Sequence, residues 1–283
     1  MSSENIIIAN PEELKLLREK ISDAGPEKFH ILADFDRTLI KAFINGKEVP
    51  SMLSVLREEG YLTPEYPEKA KALFNKYHAI EIDVNLPKEE KKKAMKEWWT
   101  KHFELLIKSG LNKKDIEKAV NSGNLKFREG AKEFFTALKE IGIPLVIMSS
   151  SGLGGDAIKM FLEKEGCFFP NVHIIGNVFE WDEKGSAAGV KEPIIHGMNK
   201  DETTLQNFPV FEKIKNRRNV LLMGDSLDDV GMVEGFEYDN LIKIGFLNSN
   251  VEENLEKYKE IFDVVIINDG DMDFINNLLK ELF

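Results

Sequence analysis

Cys167 is the only cysteine in the chain, so no internal disulfide can form and nothing points to an oxidising compartment. It sits in the apolar run Cys167-Phe168-Phe169, where a buried thiol is the ordinary role. An excess of positive charge is lacking too: 38 Lys and Arg stand against 49 Asp and Glu, a formal net charge of -11. Such a surface repels nucleic-acid phosphates, so no polynucleotide partner is expected. The basic run Lys213, Lys215, Arg217 and Arg218 reads as a solvated helix end. Long apolar runs are missing as well. Ile6-Ile7-Ile8-Ala9 near the amino terminus is too short for a signal peptide or a membrane span, which leaves a cytoplasmic protein with no membrane partner as the expectation. The histidines show no H-x-x-x-H or Cys/His spacing, which argues against zinc. No internal repeat or low-complexity segment occurs.

What is present is a regular alternation of apolar runs and amphipathic segments. Asn10 before Pro11, Glu12 and Glu13 has the chemistry of a helix start. Phe29 to Ala33 reads as a buried strand, as do Pro144 to Met148, Val172 to Ile175, Asn219 to Met223, Leu241 to Leu247 and Val264 to Ile267. Helical periodicity fills Arg128 to Ile141 and Asp156 to Lys164, and Val178 to His196 reads as a hairpin. Nearly all-apolar strands alternating with helices predict an α/β protein with a Rossmann-like, doubly wound parallel sheet. From about Asn45 to Lys126 strand signals give way to charged helical periodicity. Pro87 opens its clearest helix, with Met95, Trp98, Trp99, His102, Phe103 and Leu106 at steps of three and four. The expected organisation is a core of residues 1–44 and 126–283 with a helical cap inserted at 45–125.

The chemistry gathers where strands end. Asp34 and Asp36 follow the first buried strand, and side chains at i and i+2 of an extended segment point to the same side. An EF-hand loop starting at Asp34 is excluded, because its sixth position is Leu39 rather than Gly and its twelfth is Asn45 rather than Glu. Ser149 follows a second strand and Asp225 to Asp229 a third. In a parallel sheet these ends share one edge, where ligands bind. Carboxylates at Asp34, Asp36 and Asp225 would repel one another by about 4 kcal/mol per pair at ~4 Å and an effective dielectric of ~20. A hard cation turns that repulsion into attraction, and Mg²⁺ keeps positions for water and a substrate phosphate. Ser149 can supply a hydroxyl, and the turn at Gly152 to Gly155 can aim backbone N–H groups at an anion. Spacing alone does not single out Lys200 among the lysines.

With these residues in view, the chain resembles the haloacid dehalogenase-like phosphohydrolases. Asp34-Phe35-Asp36-Arg37-Thr38-Leu39 looks like their first motif, Ser149 their second, Lys200 their third and Gly224-Asp225-Ser226-Leu227-Asp228-Asp229 their fourth. More narrowly it resembles the cytosolic pyrimidine 5'-nucleotidases of type III, through Ile80-Glu81-Ile82-Asp83, Glu97-Trp98-Trp99-Thr100-Lys101, Asn199-Lys200 and Lys243-Ile244-Gly245-Phe246-Leu247-Asn248. One departure stands out. The second motif reads Ser149-Ser150-Ser151-Gly152-Leu153-Gly154-Gly155-Asp156 against the family's Ser-Ala-Gly-Ile-Gly-Asp. That leaves Ser149 and Ser150 both in play for the phosphate, with the count from Ile143-Pro144 favouring Ser149.

The resemblance implies a phosphatase acting on nucleoside 5'-monophosphates, with UMP and CMP as the expected substrates. The alternatives are a preference for 7-methylguanosine monophosphate, or a catalytically inactive nucleotide-binding protein. It further implies that Asp34 is the nucleophile and Asp36 the acid and base, with Lys200 and Ser149 binding the phosphoryl oxygens. Mg²⁺ would be held by Asp34, the carbonyl of Asp36 and Asp225, with Asp229 in support. Glu81 of the cap would contact the nucleoside, beside the aromatic candidates Phe43, Tyr77, His78, Trp98 and Trp99. A monomer is expected.

Overall fold

The computed structural model describes residues 5–58, 60–83, 85–200 and 208–283. In chain order the first elements are β1 (Ile6–Ile8), α1 (Pro11–Ala24), β2 (Phe29–Ala33), β3 (Phe43–Ile44) and β4 (Lys47–Glu48). Four helices follow outside the main sheet: α2 (Met52–Glu58), α3 (Tyr66–Ile82), α4 (Lys88–Lys108) and α5 (Lys113–Asn121). Then come α6 (Ala131–Ile141), β5 (Leu145–Met148), α7 (Gly154–Lys164), β6 (Val172–Ile175), β7 (Phe179–Trp181) and β8 (Ala187–Val190). The chain closes with α8 (Phe211–Ile214), β9 (Asn219–Gly224), β10 (Asn240–Leu247), α9 (Val251–Ile261), β11 (Val264–Ile267) and α10 (Asp273–Leu282).

The main sheet has seven strands in the order β1-β11-β10-β9-β2-β5-β6. All neighbours are parallel except β1, which lies antiparallel on β11. Alternate strand residues feed two cores: Ile31, Ala33, Ile147 and Met223 face one, and Leu32, Val146, Met148 and Leu222 the other. Burial on both faces explains why these strands are apolar throughout instead of alternating. Helix α1 starts as its sequence dictates, with the Asn10 side chain accepting from the Glu13 N–H. Strand β2 is central, and the chain winds outward through β5 and β6 on one side and through β9, β10 and β11 on the other. The crevice of the fold therefore opens at the carboxyl end of β2.

Ile6–Ile8, noted in the sequence only as an apolar run, is an edge strand. Two local readings are corrected. Phe43 to Glu48 forms a hairpin where helix was expected to begin, because Asn45 and Gly46 both take positive φ (53° and 73°), the turn that an Asn-Gly pair favours. The second limb of the later hairpin ends at Val190, short of the expected His196.

The helical insert meets the core along several contacts. Its two linkers pair with each other: the Lys41 N–H donates to the Lys126 carbonyl (2.9 Å), and the Arg128 N–H to the Leu39 carbonyl (3.1 Å). At its far side the N–H of Ala187 donates to the Leu111 carbonyl (2.8 Å), that of Lys113 donates to the Gly185 carbonyl (2.9 Å), and Phe103 packs edge-on against Phe179. Arg217 is not a solvated helix end; its Nη1 donates to the carbonyls of Pro26 and Phe29, fastening the start of β2. Cys167 is buried, as its apolar run implied. Among the described residues no helix is long and apolar enough to cross a membrane.

Candidate active site

Asp34, Ser149 and Asp225 each stand one residue past a strand that fixes them. The Asp34 N–H donates to the Met223 carbonyl (2.9 Å), continuing the ladder between β2 and β9 by one step. The Ser149 N–H does the same with the Ile175 carbonyl (2.9 Å). Beyond β9, Gly224 carries no side chain for a reason: a Cβ there would sit 2.4 Å from the Cβ of Asp229. That close approach lets Asp229 Oδ2 accept from the N–H groups of Asp225 (3.1 Å) and Ser226 (3.0 Å). Lys200 Nζ lies between strands, donating to Asp34 Oδ1 and Asp229 Oδ1, each at 2.6 Å. One oxygen from each of Asp34, Asp225 and Asp229 falls within 4.8 Å of the others.

This is an all-oxygen donor set, which suits a hard cation. Asp229 already accepts from Lys200 and two backbone donors. The second oxygen of Asp34 and the Asp225 carboxylate have no hydrogen-bond donor among the described residues, so of the three these two have the lone pairs freest to hold a cation. The electrostatics agree. Burial pushes the Asp34 carboxyl up, Lys200 pulls it down, and the neighbouring Asp229, Asp225 and Asp36 push it up again. Burial, then Asp229, raises Asp225 to about 7, and burial raises Asp36. Burial disfavours the Lys200 ammonium, but Asp229 and Asp34 outweigh it and keep the group charged. Fully ionised, these carboxylates would exceed the charge that one lysine neutralises, which, after burial, is why Asp34 and Asp225 hold their protons more tightly than usual.

A cavity of about 350 Å³ opens onto these groups, lined by Asp34, Asp36, Ser149, Ser150, Lys200, Asp225 and, from α3 of the insert, Glu81. The structure thus brings Asp34, Asp36, Ser149, Ser150, Lys200, Asp225, Asp229 and Glu81 to one cavity, whereas the aromatic candidates Phe43, Tyr77, His78, Trp98 and Trp99 do not line it. Glu81 Oε2 lies 3.0 Å from His78 Nδ1, and His78 stacks on Phe74. Tyr77, Trp98 and Trp99 form a second stack, and Trp99 overlies Gly152. The expected anion nest at Gly152 to Gly155 is corrected. The Gly154 N–H donates to the Ser151 carbonyl and the Gly155 N–H to the Asn177 carbonyl, so neither is aimed at a ligand. Glycine is needed at 154 because its φ is +72° and a Cβ would lie 2.4 Å from the Asn177 carbonyl oxygen.

The role of several supporting residues carried no signal in the sequence, although Asn199 belongs to the motif Asn199-Lys200. Asn177 bridges loops, accepting from the Ile195 N–H (2.8 Å) and donating to the carbonyls of Ile195 (2.9 Å) and Ser151 (3.4 Å). Asn199 accepts from the His196 N–H and donates to the Ile194 carbonyl, shaping the loop that presents Lys200. The Tyr258 hydroxyl donates to the Asp225 carbonyl. Arg128 is fully buried beneath the first motif. Each is an isolated polar residue, and only its neighbours in space give it meaning.

Comparison with known proteins fits this geometry. Residues 37–283 match the family described as pyrimidine 5'-nucleotidase (UMPH-1). The chain is 34% identical over 278 residues to a human 7-methylguanosine phosphate-specific 5'-nucleotidase, covering 98% of this chain and 92% of that one. It is 32% identical over 281 residues to the chicken protein of the same name, covering 99% and 96%. Among solved structures, cytosolic 5'-nucleotidase IIIB bound to cytidine superposes with a TM-score of 0.90 at 30% identity, covering 99% of this chain and 94% of that one. The chain belongs to the pyrimidine 5'-nucleotidase (UMPH-1) family of the haloacid dehalogenase superfamily, and it is a 5'-nucleotidase.

Proposed function

We propose that this 5'-nucleotidase is Mg²⁺-dependent and works through an aspartyl phosphate on Asp34, with 7-methylguanosine monophosphate preferred over UMP and CMP. The observation that carries the base preference is the name shared by relatives matching 98% and 99% of the chain. It reverses the order of the two readings drawn from the sequence. Physical chemistry supports the reversal. A 7-methylated guanine is positively charged, whereas uracil and cytosine are neutral. Glu81 offers it a carboxylate from the cavity wall. Aromatic faces close by on α3 and α4 can stabilise such a cation by about 0.5–2 kcal/mol, roughly 2- to 30-fold in kcat/KM. A pyrimidine nucleoside also has a claim on the site, since the structural relative was solved with cytidine.

In the proposed reaction Asp34 attacks phosphorus in line, forming the new P–O bond as the bond to the 5'-oxygen breaks. Asp36 gives its proton to that oxygen, and the nucleoside departs. Asp36, now a carboxylate, accepts a proton from the water that attacks phosphorus, and inorganic phosphate leaves Asp34. Lys200 and Ser149 hold the phosphoryl oxygens as charge shifts between them. Ser149 suits this better than Ser150: its Oγ already accepts from the Ser151 N–H (3.1 Å), which leaves its own proton to donate. Mg²⁺ bound by Asp34, the Asp36 carbonyl and Asp225 would supply the positive charge that lets a phosphate approach these carboxylates.

Phosphate release from 7-methyl-GMP, GMP, CMP and UMP in the presence of Mg²⁺ tests the proposal. The highest kcat/KM is expected for 7-methyl-GMP. Release from none of the four would overturn the function, and a higher value for CMP or UMP would restore the pyrimidine reading.

A further inference from the structure

Asp36 differs from the other chemical groups in how it is held. Asp34 is fixed by the strand ladder and by Lys200, whereas the Asp36 side chain makes no hydrogen bond among the described residues. Its direction depends on the backbone turn that follows β2, where the N–H groups of Thr38, Leu39 and Ile40 all converge on the Phe35 carbonyl. Arg37 in that turn has φ 57°, a left-handed conformation that costs a residue with a Cβ about 1–2 kcal/mol. Such a conformation persists only where its surroundings fix it.

Two donors do so. The Arg37 carbonyl accepts from Arg128 Nη2 and from Asn248 Nδ2 (3.0 Å). The Arg128 side chain is fully buried and every N–H it owns is matched. Nε donates to the Thr38 carbonyl (2.7 Å), Nη1 to Asp269 Oδ1 (2.9 Å) and the Gly270 carbonyl (2.7 Å), and Nη2 to the Arg37 carbonyl and Asn248 Oδ1 (2.7 Å). Its face stacks on Phe246, 4.3 Å from the ring centroid. Asp269 completes the arrangement from the other side, accepting from the N–H groups of Ala42 (2.8 Å) and Phe43 (3.1 Å) where the chain leaves for the helical insert. Fork geometry of this kind is specific to arginine; an ammonium offers three donors from a single point.

We infer that Arg128, with Asn248 and Asp269, is a positioning group: it locks the turn at Arg37, so that Asp36 points at the leaving oxygen, and it joins that turn to the root of the insert. This rests on the proposed role of Asp36 as proton donor. A nucleoside leaves as a poor alkoxide and needs that proton, whereas p-nitrophenolate departs without it. Loosening Asp36 therefore slows leaving-group release from a nucleotide selectively, whereas the later attack of water, in which Asp36 is the base, is common to both substrates, and a general loss of folded enzyme lowers the amplitude of both alike.

The test is the single-turnover rate of leaving-group release, nucleoside or p-nitrophenolate, in wild type, Arg128→Lys and Asn248→Ala. In both variants nucleoside release is expected to slow about tenfold or more, with less than about a threefold loss on p-nitrophenolate release. Equal losses on the two substrates, or no loss on the nucleotide, would overturn the inference. Asn248→Ala decides alone should the buried Arg128→Lys fail to fold. Wild-type turnover of the nitrophenyl ester but of no nucleotide would instead remove the base-specific reading. The positioning claim is then read on ribose 5-phosphate, an alkyl ester with the same need for a proton.

Discussion

Lys200→Met isolates the charge balance of the site. The ammonium sits 2.6 Å from an oxygen of each of two buried carboxylates, Asp34 and Asp229. At an effective dielectric of about 20, unit charges that close attract by roughly 6 kcal/mol per pair, offset by the cost of desolvating all three groups. Removing one partner of a buried ionic cluster costs about 3–5 kcal/mol net, because the remaining charges lose compensation. The variant can relieve that loss by binding a proton. A carboxyl raised in the folded state binds more protons there than when unfolded, so stability is gained as pH falls, by about 1.4 kcal/mol per pH unit for one proton. Urea unfolding followed by tryptophan fluorescence should therefore give a deficit of about 3–5 kcal/mol at pH 8 that shrinks by roughly 2–3 kcal/mol at pH 6. Added Mg²⁺ should narrow it at pH 8, since a cation offsets the same carboxylates. A deficit below about 1 kcal/mol, or one unchanged between the two pH values, would show that Lys200 does not balance this cluster.

Three further outcomes are expected. Glu81→Ala should raise KM for nucleotides about tenfold and leave p-nitrophenyl phosphate hydrolysis nearly unchanged, because Glu81 reaches the cavity from α3 of the insert and not from the strand ends that carry the reacting carboxylates; parallel losses on both would place it in the chemistry. His30 is buried with its Nδ1 against the Arg217 carbonyl and its Nε2 without a partner, and burial lowers its pKa to about 4. The unfolded chain then binds the extra proton between pH 6.5 and 4, so wild type should lose about 2 kcal/mol from pH 7 to pH 5 that His30→Asn does not lose, as read by denaturant titration. Gly154→Ala should destabilise by about 1–3 kcal/mol and lower the melting temperature, from its positive φ and the contact with Asn177; an unshifted midpoint would contradict that close approach.

The parallel sheet was legible because burial on both faces forces near-continuous apolar strands, and Asp34, Asp36, Ser149 and Asp225 were legible because each directly follows one. Spacing did not reveal Lys200, which lies in a loop; the resemblance singled it out, and its contacts with Asp34 and Asp229 give the physical reason. Arg128 was hidden, and Asn248 stood out only as the end of a motif, since their role is to satisfy carbonyls far away in sequence. The Ser149 loop misled in an instructive way. Its glycines look like a phosphate nest, but close packing against the Asn177 backbone accounts for Gly154, and a tryptophan lying over the loop accounts for Gly152. The Phe43 to Glu48 hairpin carried an Asn-Gly signal, but strands of two residues are too short to alternate visibly.

The central claim is that Asp34 carries the phosphoryl group during turnover. Rapid acid quench of the Mg²⁺-loaded enzyme with labelled nucleoside monophosphate, followed by peptide mapping, measures this directly. The account predicts label on the peptide containing Asp34, and neither label nor turnover in a folded Asp34→Asn variant. Label on another residue, or substantial turnover by that variant, would contradict it.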